Sequence, residues 1–304
     1  MSRFAWVTLV MLGDRYVQGA LVLAHSLRLT KTKADIVVLV TPDVTAVARV
    51  ALAQIFTSVI EVPYLEGTFN HHLTSKQQFR YGKFMSKLPT KFHALNLTQY
   101  DKIMLMDADA IVQSNADDLF DLAAPAGVWE FYPEIAKNTT AGRALVGLKH
   151  GDKVPEKLVD LAFEQTFVCW GTSLLLEPSK ADFEAVVKMA KAGFGKMRCP
   201  SGFEEQVLAS YYKNKWTKIS SRYSLVPWKN WGDETTAVIL HFYSDKKPWE
   251  YPLSEENVWE DIKIWRRYYL SYLAEARGVD MVTYEKTDIA DVTVDELPNC
   301  RRTT

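Results

Sequence analysis

The sequence has almost no excess of charge and few cysteines. Its 304 residues include 36 basic and 37 acidic side chains, a formal net charge of −1 at pH 7. A chain without a basic excess lacks the electrostatic footprint of nucleic-acid-binding proteins, so no nucleic-acid partner is predicted. The three cysteines, Cys169, Cys199 and Cys300, form no C-x-x-C pair and no zinc spacing. This favours a reducing compartment, and we predict a cytoplasmic protein.

Long apolar runs and glycine-rich phosphate loops are also missing. No stretch reaches the roughly 18 apolar residues of a membrane span, so no span is predicted. The apolar stretch over residues 4–12 lacks a small-residue cleavage site, and a buried first strand explains it better than a secretory signal. Neither G-x-G-x-x-G nor G-x-x-x-x-G-K-[ST] occurs. The sequence therefore indicates neither a dinucleotide-binding fold nor a P-loop.

The first 112 residues alternate continuous apolar runs with segments in which apolar residues have helical spacing. Continuous runs are typical of strands buried on both faces, and their alternation with helices indicates a parallel sheet covered on both sides. We therefore predict a nucleotide-binding α/β half. Its predicted strands are residues 4–12, 35–41, 59–62 and 102–109, and its predicted helices are 17–29, 44–55 and 91–97.

The second half is rich in aromatic residues and contains short apolar runs, so we predict that the central sheet becomes mixed. A helix near the end of the chain has apolar residues spaced by four and three. It either docks on its own domain, the simpler interpretation, or offers a homodimer face. We predict one domain over 1–275, with a nucleotide-binding half (1–112) and an acceptor half (113–275), followed by a tail (276–304). The apolar face of the helix consists of Val258, Ile262, Trp265, Tyr269 and Tyr272.

One predicted buried strand ends on two aspartates, Asp107 and Asp109. Ligands of open parallel sheets bind outside the carboxyl ends of the strands. Residues two apart on an extended chain point the same way, so these carboxylates repel unless a cation or water separates them. A hard divalent ion with oxygen ligands is one solution. The other is an aspartate that caps the next segment beside a solvated neighbour, and D-x-D alone does not decide between them.

The segment over residues 102–122 resembles the metal-binding segment of family 8 glycosyltransferases, the glycogenin and galactinol synthase group. Further segments resemble the same family in the same order along the chain. The resemblance implies a GT-A-type α/β fold and retaining transfer of a sugar from a UDP-sugar to a carbohydrate or other hydroxyl acceptor. It also implies Mn²⁺ or, as the alternative, Mg²⁺. The further segments are residues 7–27, 73–102, 203–212 and 241–251.

The resemblance also implies roles for individual residues. His241 would complete the metal ligands Asp107 and Asp109, and Lys247 would bind phosphate as a point charge. The implied catalytic residues are Lys91, Glu205 and Gln206. The implied donor-binding residues are Leu9 and Tyr16 around the uracil ring, Arg80 and Lys91 near the sugar and diphosphate, and Asp107, Ala108, Asp109, His241, Ser244 and Lys247 around the metal and phosphates.

Three segments depart from the family's pattern. Where the family has Asn-Ser-Gly or Asn-Ala-Gly, this chain has residues 169–172, Cys-Trp-Gly-Thr, and Trp170 stands where an asparagine faces the donor sugar. Glu205 stands for the aspartate of an Asp-Gln pair, and Ser244 replaces a glycine. A degenerate transferase that binds UDP or carbohydrate without turnover is therefore an alternative to an active enzyme. A sugar-1-phosphate nucleotidyltransferase fits less well, because MLGDRY is a poor version of its glycine-rich loop.

Two mechanisms are compatible with retention of configuration. A two-step route needs a carboxylate nucleophile, for which Glu205 is the only candidate that the sequence offers. Front-face attack, in which the leaving phosphate takes the acceptor's proton, needs no protein nucleophile. We favour the second.

Overall fold

The computed structural model describes residues 2–68, 82, 84–129, 133–193, 201–226 and 237–277. Its strands are β1 (Phe4–Val10), β2 (Asp35–Val40), β3 (Ser58–Glu61), β4 (Lys102–Met106), β5 (Ala110–Val112), β6 (Ala126–Val128), β7 (Leu174–Leu176), β8 (Thr217–Ile219) and β9 (Ile239–His241). Its α-helices are α1 (Val17–Leu29), α2 (Ala46–Ile55), α3 (Pro133–Asn138), α4 (Thr140–Gly147), α5 (Glu156–Gln165), α6 (Lys180–Ala192), α7 (Phe203–Tyr211) and α8 (Glu260–Arg277). Its 3₁₀ helices are Met85–Asn96, Asp117–Asp121, Ser221–Tyr223 and Pro248–Glu250.

Seven of the described strands form one sheet in the order β3–β2–β1–β4–β7–β6–β8, and β5 pairs separately with β9. The strands β3, β2, β1 and β4 are parallel to one another. β7 is antiparallel to both β4 and β6, and β8 is parallel to β6. The prediction of a parallel first half within a mixed central sheet is confirmed.

The first half follows the sequence pattern closely. Every residue after the first is buried in β1, β2 and β4, as expected of strands covered on both faces. The predicted helix over 17–29 is α1. α2 begins two residues later than predicted, because Thr45 acts as its N-cap and accepts a hydrogen bond from the Ala48 N–H. β4 ends at Met106, so both aspartates lie beyond the strand rather than at its end.

The predicted short helix over 91–97 is the last part of a longer 3₁₀ helix, Met85–Asn96. Helical periodicity missed its beginning because Pro89 lies inside it, and proline argues against a helix interior. Much of the polar segment before this helix lies outside the described residues.

The C-terminal helix α8 docks on its own domain. All five residues of its predicted apolar face are buried, whereas Trp259, just before the helix, is 75% exposed. Homodimer formation stays a prediction. In the part of the chain that is described, no helix combines the length and the apolar character needed to cross a membrane.

Candidate active site

The three predicted cation ligands lie together just beyond the carboxyl end of β4, the middle strand of the large sheet. Asp107 directly follows β4, and Asp109 directly precedes β5. β5 pairs with β9 so that Ala110 lies opposite His241. The Phe242 N–H also donates to the Asp109 carbonyl oxygen at 2.8 Å. This strand pairing therefore holds the histidine beside two aspartates that lie far from it in the sequence.

The side-chain geometry of this group fits a divalent cation. Asp107, Asp109 and His241 each offer one ligand atom, and these atoms lie within 4.8 Å of one another. The His241 Nε2 atom is 3.6 Å from Asp107 Oδ2 and 3.5 Å from Asp109 Oδ1. Two carboxylate oxygens and one imidazole nitrogen suit Mn²⁺ better than Mg²⁺, which prefers oxygen ligands throughout. The residues present thus match the ion that the resemblance implies.

Two lysines neutralise the two aspartates. Lys91 Nζ lies 2.6 Å from Asp107 Oδ1, and Lys247 Nζ lies 2.6 Å from Asp109 Oδ2. Burial by itself would lower the pKa of Lys91, but the carboxylates of Asp107 and Glu204 raise it well above its ordinary value. Asp109 likewise opposes the effect of burial on Lys247 and raises the pKa of that lysine, so both ammonium groups stay charged and each offsets the charge of one aspartate.

Asp109 is ionised even though it is only 6% exposed. Burial favours the neutral acid, but the Lys247 ammonium holds the pKa of the Asp109 carboxyl well below its usual range. Burial likewise raises the pKa of Tyr16, which lies near the same group, to about 12, so its phenol is neutral. The site therefore combines fixed carboxylate charge with a neutral aromatic hydroxyl.

Thr172, which sequence reasoning did not single out, contacts two of the three ligands. It lies two residues before β7 and is fully buried. Its Oγ1 atom is 2.7 Å from His241 Nδ1, and it donates to Asp107 Oδ2 at 3.3 Å. The Nδ1 atom of the imidazole thus faces protein, while Nε2 faces the carboxylates.

Two adjacent glutamates near the start of α7 have different partners. Glu204 is 3% exposed and accepts a hydrogen bond from Lys91 Nζ at 2.7 Å. Glu205 accepts from two backbone N–H groups, Gly171 at 2.6 Å and Gly202 at 2.7 Å. Burial, with the neighbouring Glu204 charge, raises the pKa of Glu205 to about 8, against the effect of the amide donors and Lys91. Sequence reasoning had named Glu205 and missed Glu204.

The three candidate ligands, the two lysines and the two glutamates line a cavity of about 430 Å³. Among the described residues, the cavity lining does not include Gln206, a buried residue of α7 whose side-chain amide donates to the Ser201 carbonyl oxygen at 2.6 Å. Ser244 does not line it either, and Arg80 lies outside the described residues. The predicted residues that do line the cavity are Leu9, Tyr16, Lys91, Asp107, Ala108, Asp109, Glu205, His241 and Lys247.

An aromatic wall stands next to the ligands. The Trp170 ring is edge-on to His241 at 6.0 Å and to Tyr243 at 5.6 Å, and it stacks on Phe167 at 6.2 Å. Trp170, Tyr243 and Phe167 all line the cavity. Trp249, by contrast, packs between Tyr16 and the C-terminal helix. Among the described residues, it is not part of the cavity lining. The cavity therefore has one charged side and one apolar side.

The first turn of α1 lies directly against the segment between the two aspartates. A Cβ atom added at Gly19 would be 2.6 Å from the Ala108 carbonyl oxygen and 2.7 Å from the Trp249 ring. Only glycine permits this approach, which places the helix start and Tyr16 beside Ala108.

Comparison with known sequences identifies relatives over most of the chain. Residues 7–142 match the model of glycosyl transferase family 8. Protein R707 of Acanthamoeba polyphaga mimivirus is 32% identical over 270 residues, 86% of this chain and 88% of that protein. Human glycogenin-1 is 41% identical over 133 residues, which cover 42% of this chain. The match spans only 37% of the length of glycogenin-1.

Among solved structures, the galactosyltransferase LgtC in complex with donor and acceptor sugar analogs is similar, with a TM-score of 0.54. The match has 15% sequence identity and covers 90% of this chain and 99% of LgtC. At that identity the likeness shows the fold alone, and it confirms the predicted GT-A fold. Family model, relatives and the Asp-x-Asp group agree, and the chain belongs to glycosyl transferase family 8.

Proposed function

We propose that the protein is a cation-dependent, retaining glycosyltransferase that moves a sugar from a UDP-sugar to a hydroxyl of a carbohydrate or other acceptor. The observation that carries this proposal is the group of Asp107, Asp109 and His241 at the wall of a cavity of about 430 Å³, flanked by two lysines. Family membership supports sugar transfer. The complex of LgtC with donor and acceptor sugar analogs supports two substrate positions in this fold.

Asp107, Asp109 and His241 would hold the cation, for which Mn²⁺ is the best candidate. When bound, the ion supplies Lewis-acid neutralisation of the charge that develops on the departing diphosphate. Lys91 and Lys247 place two further positive charges at the same wall of the cavity. Preorganised charge of this kind stabilises a leaving group without reorganisation at the moment of reaction. Leu9 and Tyr16, at the first strand and helix, form the surface on which the uracil ring packs.

The structure favours front-face attack over a nucleophilic Glu205. Both carboxylate oxygens of Glu205 accept short backbone hydrogen bonds, so attack would require breaking one of them. In front-face attack, the bond from the anomeric carbon to the diphosphate breaks while the acceptor oxygen bonds to the same face. The acceptor proton passes to the leaving phosphate oxygen. Glu204, the neighbouring carboxylate, is paired with Lys91 Nζ at 2.7 Å, so using it as the nucleophile would break that ion pair.

The aromatic wall favours one alternative, a protein that binds UDP or carbohydrate without turnover. Trp170 stands where the family has an asparagine that faces the donor sugar, and it is packed against His241. An indole in place of an asparagine would bind an apolar sugar face, but it has one N–H donor and no acceptor, so it could not accept a hydrogen bond from a hydroxyl of the donor sugar. Release of UDP from a UDP-sugar separates the two functions, because only the enzyme produces it.

Thermal unfolding with Mn²⁺ and nucleotides tests the proposal. UDP, UDP-glucose, UDP-galactose, UDP-glucuronate and GDP-mannose are compared with and without Mn²⁺. A ligand at about a hundred times its dissociation constant adds about 2.7 kcal/mol, which raises Tm by a few degrees. We expect this shift with UDP and at least one UDP-sugar, only when Mn²⁺ is present.

Asp109→Asn is the informative variant, because the amide keeps a hydrogen-bond acceptor for buried Lys247 while it removes the charge. Asp121→Asn, at an exposed carboxylate that does not line the cavity, is the matched control. The shift should vanish in the first variant and persist in the second. Absence of a shift with every nucleotide in the wild type would overturn the proposal. Binding without any release of UDP would favour the non-catalytic alternative.

A further inference from the structure

The position of Thr172 follows from strand pairing rather than from chance proximity. β4 and β7 pair in antiparallel register, with Leu105 opposite Leu174. Continuing that register by two residues brings Thr172 opposite Asp107. Since β5–β9 pairing independently places His241 beside Asp109, the Thr172 side chain meets an aspartate from one strand end and a histidine from another.

The contact of the Thr172 hydroxyl with Asp107 decides the direction of its hydrogen bond with His241. A hydroxyl has one proton to donate, and an ionised carboxylate can only accept. If Thr172 donates to Asp107 Oδ2, its oxygen must accept the proton of His241 Nδ1. His241 is then the Nδ1–H tautomer, whose Nε2 lone pair points toward Asp107 and Asp109. That is the tautomer that a cation at these carboxylates requires, and neighbouring groups of this kind orient histidine ligands in metal sites.

The other oxygen of Asp107 is already engaged. Lys91 donates to Asp107 Oδ1 at 2.6 Å, while Thr172 donates to Oδ2. Each oxygen of the Asp107 carboxylate therefore accepts a hydrogen bond from the protein, and these two bonds fix the orientation of the carboxylate before any cation binds. Thr172 is 0% exposed, so no water replaces its hydroxyl when the hydroxyl is removed.

We infer that Thr172 is a positioning residue of the cation site: its hydroxyl selects the His241 tautomer and links His241 to Asp107. This inference rests on the cation dependence proposed above. Thr172 does not touch the substrate, and its effect passes through two ligands.

Direct binding of Mn²⁺ to the full chain, without nucleotide, tests the inference by isothermal titration calorimetry. Thr172→Val preserves shape and removes the hydroxyl, and Thr172→Ser restores a hydroxyl. The matched control is Thr217→Val, at a buried threonine whose hydroxyl has no hydrogen-bond partner among the described residues. We expect Mn²⁺ affinity to fall about 10- to 100-fold in Thr172→Val. Thr172→Ser and Thr217→Val should remain near wild type.

Nitrogen-15 NMR of the imidazoles provides a second measurement that does not depend on the variant's folding. The chain has six histidines, and His241→Gln assigns the signal. In wild-type protein saturated with diamagnetic Mg²⁺, we expect a protonated Nδ1 and an unprotonated Nε2 for His241. A protonated Nε2 under these conditions overturns the inference even if Thr172→Val does not fold.

The remaining outcomes separate the inference from the proposed function. Wild-type affinity in Thr172→Val overturns the inference and leaves cation dependence standing. Equal losses in the valine and serine variants, or an equal loss in Thr217→Val, also overturn it, because shape or general destabilisation would then be responsible. A wild-type chain that binds neither Mn²⁺ nor Mg²⁺ overturns both.

Discussion

The two halves of the molecule are built differently. In the first half, β1 to β4 contain between four and seven residues and pair in parallel. In the second half, β6, β7, β8 and β9 contain three residues each. Long apolar strands specify their own partners through burial on both faces. Three-residue strands do not, so the second half depends on helices, aromatic packing and buried polar side chains for its order.

The candidate site lies where the two halves meet. The first half supplies Asp107, Asp109 and Lys91, and the second supplies His241 and Lys247. The regular half thus offers both carboxylates and the lysine that neutralises Asp107, and the irregular half brings the histidine and the lysine that neutralises Asp109. The site would be incomplete with either half alone, and residues 7–142, which match the family model, include only the first-half members of this group.

The largest expected effect comes from truncating Trp265, a buried aromatic residue of α8 in the second half. Trp265 is 1% exposed and packs at 5.8 Å from Trp249 and 5.1 Å from Tyr269. We expect Trp265→Ala to lower the free energy of unfolding by about 3–5 kcal/mol, because it leaves a large cavity. Urea denaturation followed by circular dichroism measures this.

Trp259→Ala is the matched control for that substitution. Because Trp259 is 75% exposed, its truncation should change stability by less than about 0.5 kcal/mol. Comparable losses in both variants would show that the exposed tryptophan is covered in solution, as a homodimer face would be.

Two lysines, one in each half, test whether buried polar side chains stabilise the second half more than the first, and the expected effect is of intermediate size. Lys102 on β4 donates to the carbonyls of Phe120 and Leu122, at 2.8 and 2.7 Å. Lys218 on β8 donates to those of Leu145 and Leu148, at 2.7 and 2.6 Å, and is 1% exposed. Water can replace the partly exposed Lys102 but not Lys218.

We therefore expect Lys218→Met to cost about 3 kcal/mol of stability and Lys102→Met about 1 kcal/mol. Urea midpoints with unchanged m-values measure the difference. Equal costs would show that the second half relies on buried polar side chains no more than the first does.

The smallest effect is a pH dependence at the contact between α1 and α8. His25 on α1 is buried, and its Nε2 is 2.9 Å from Ser271 Oγ on α8. Burial lowers the pKa of His25 below 6.5, although Glu275 opposes the shift. Below about pH 6.5 the unfolded chain then binds a proton that the folded chain does not. Stability should fall from pH 7 to pH 5, and by less in His25→Gln. An equal fall in both proteins, measured by urea denaturation, would contradict this.

The sequence predicted the first half of the fold well because burial periodicity and strand composition were unambiguous there. It predicted α8 for the same reason. It did not locate β6, β8 or the separate pairing of β5 with β9, because a three-residue strand has no period to detect. Residues 102–109 show the limit most clearly. The apolar run and the two aspartates together predicted one strand over these residues, but the strand in the structure ends at Met106.

Within the site, residues with a chemical signature were found and residues defined by geometry were missed. The aspartates, His241 and both lysines stood out through type and motif. Thr172 has no signature, because its role depends on the register of β4 against β7. Glu204 and Glu205 are adjacent, and only the phase of α7 decides that Glu204 faces Lys91 while Glu205 accepts backbone N–H groups.

The close approach of α1 to Ala108 limits which mutations the candidate site tolerates. Among the described residues, Gly19 is not part of the lining of the 430 Å³ cavity. It lies in a helix, where alanine ordinarily stabilises the helical conformation better than glycine does. Yet the smallest added side chain would meet the Ala108 carbonyl oxygen and the Trp249 ring. An alanine scan restricted to cavity residues would overlook this position. A library built on helix propensity would select the very substitution that displaces the segment between the two aspartates.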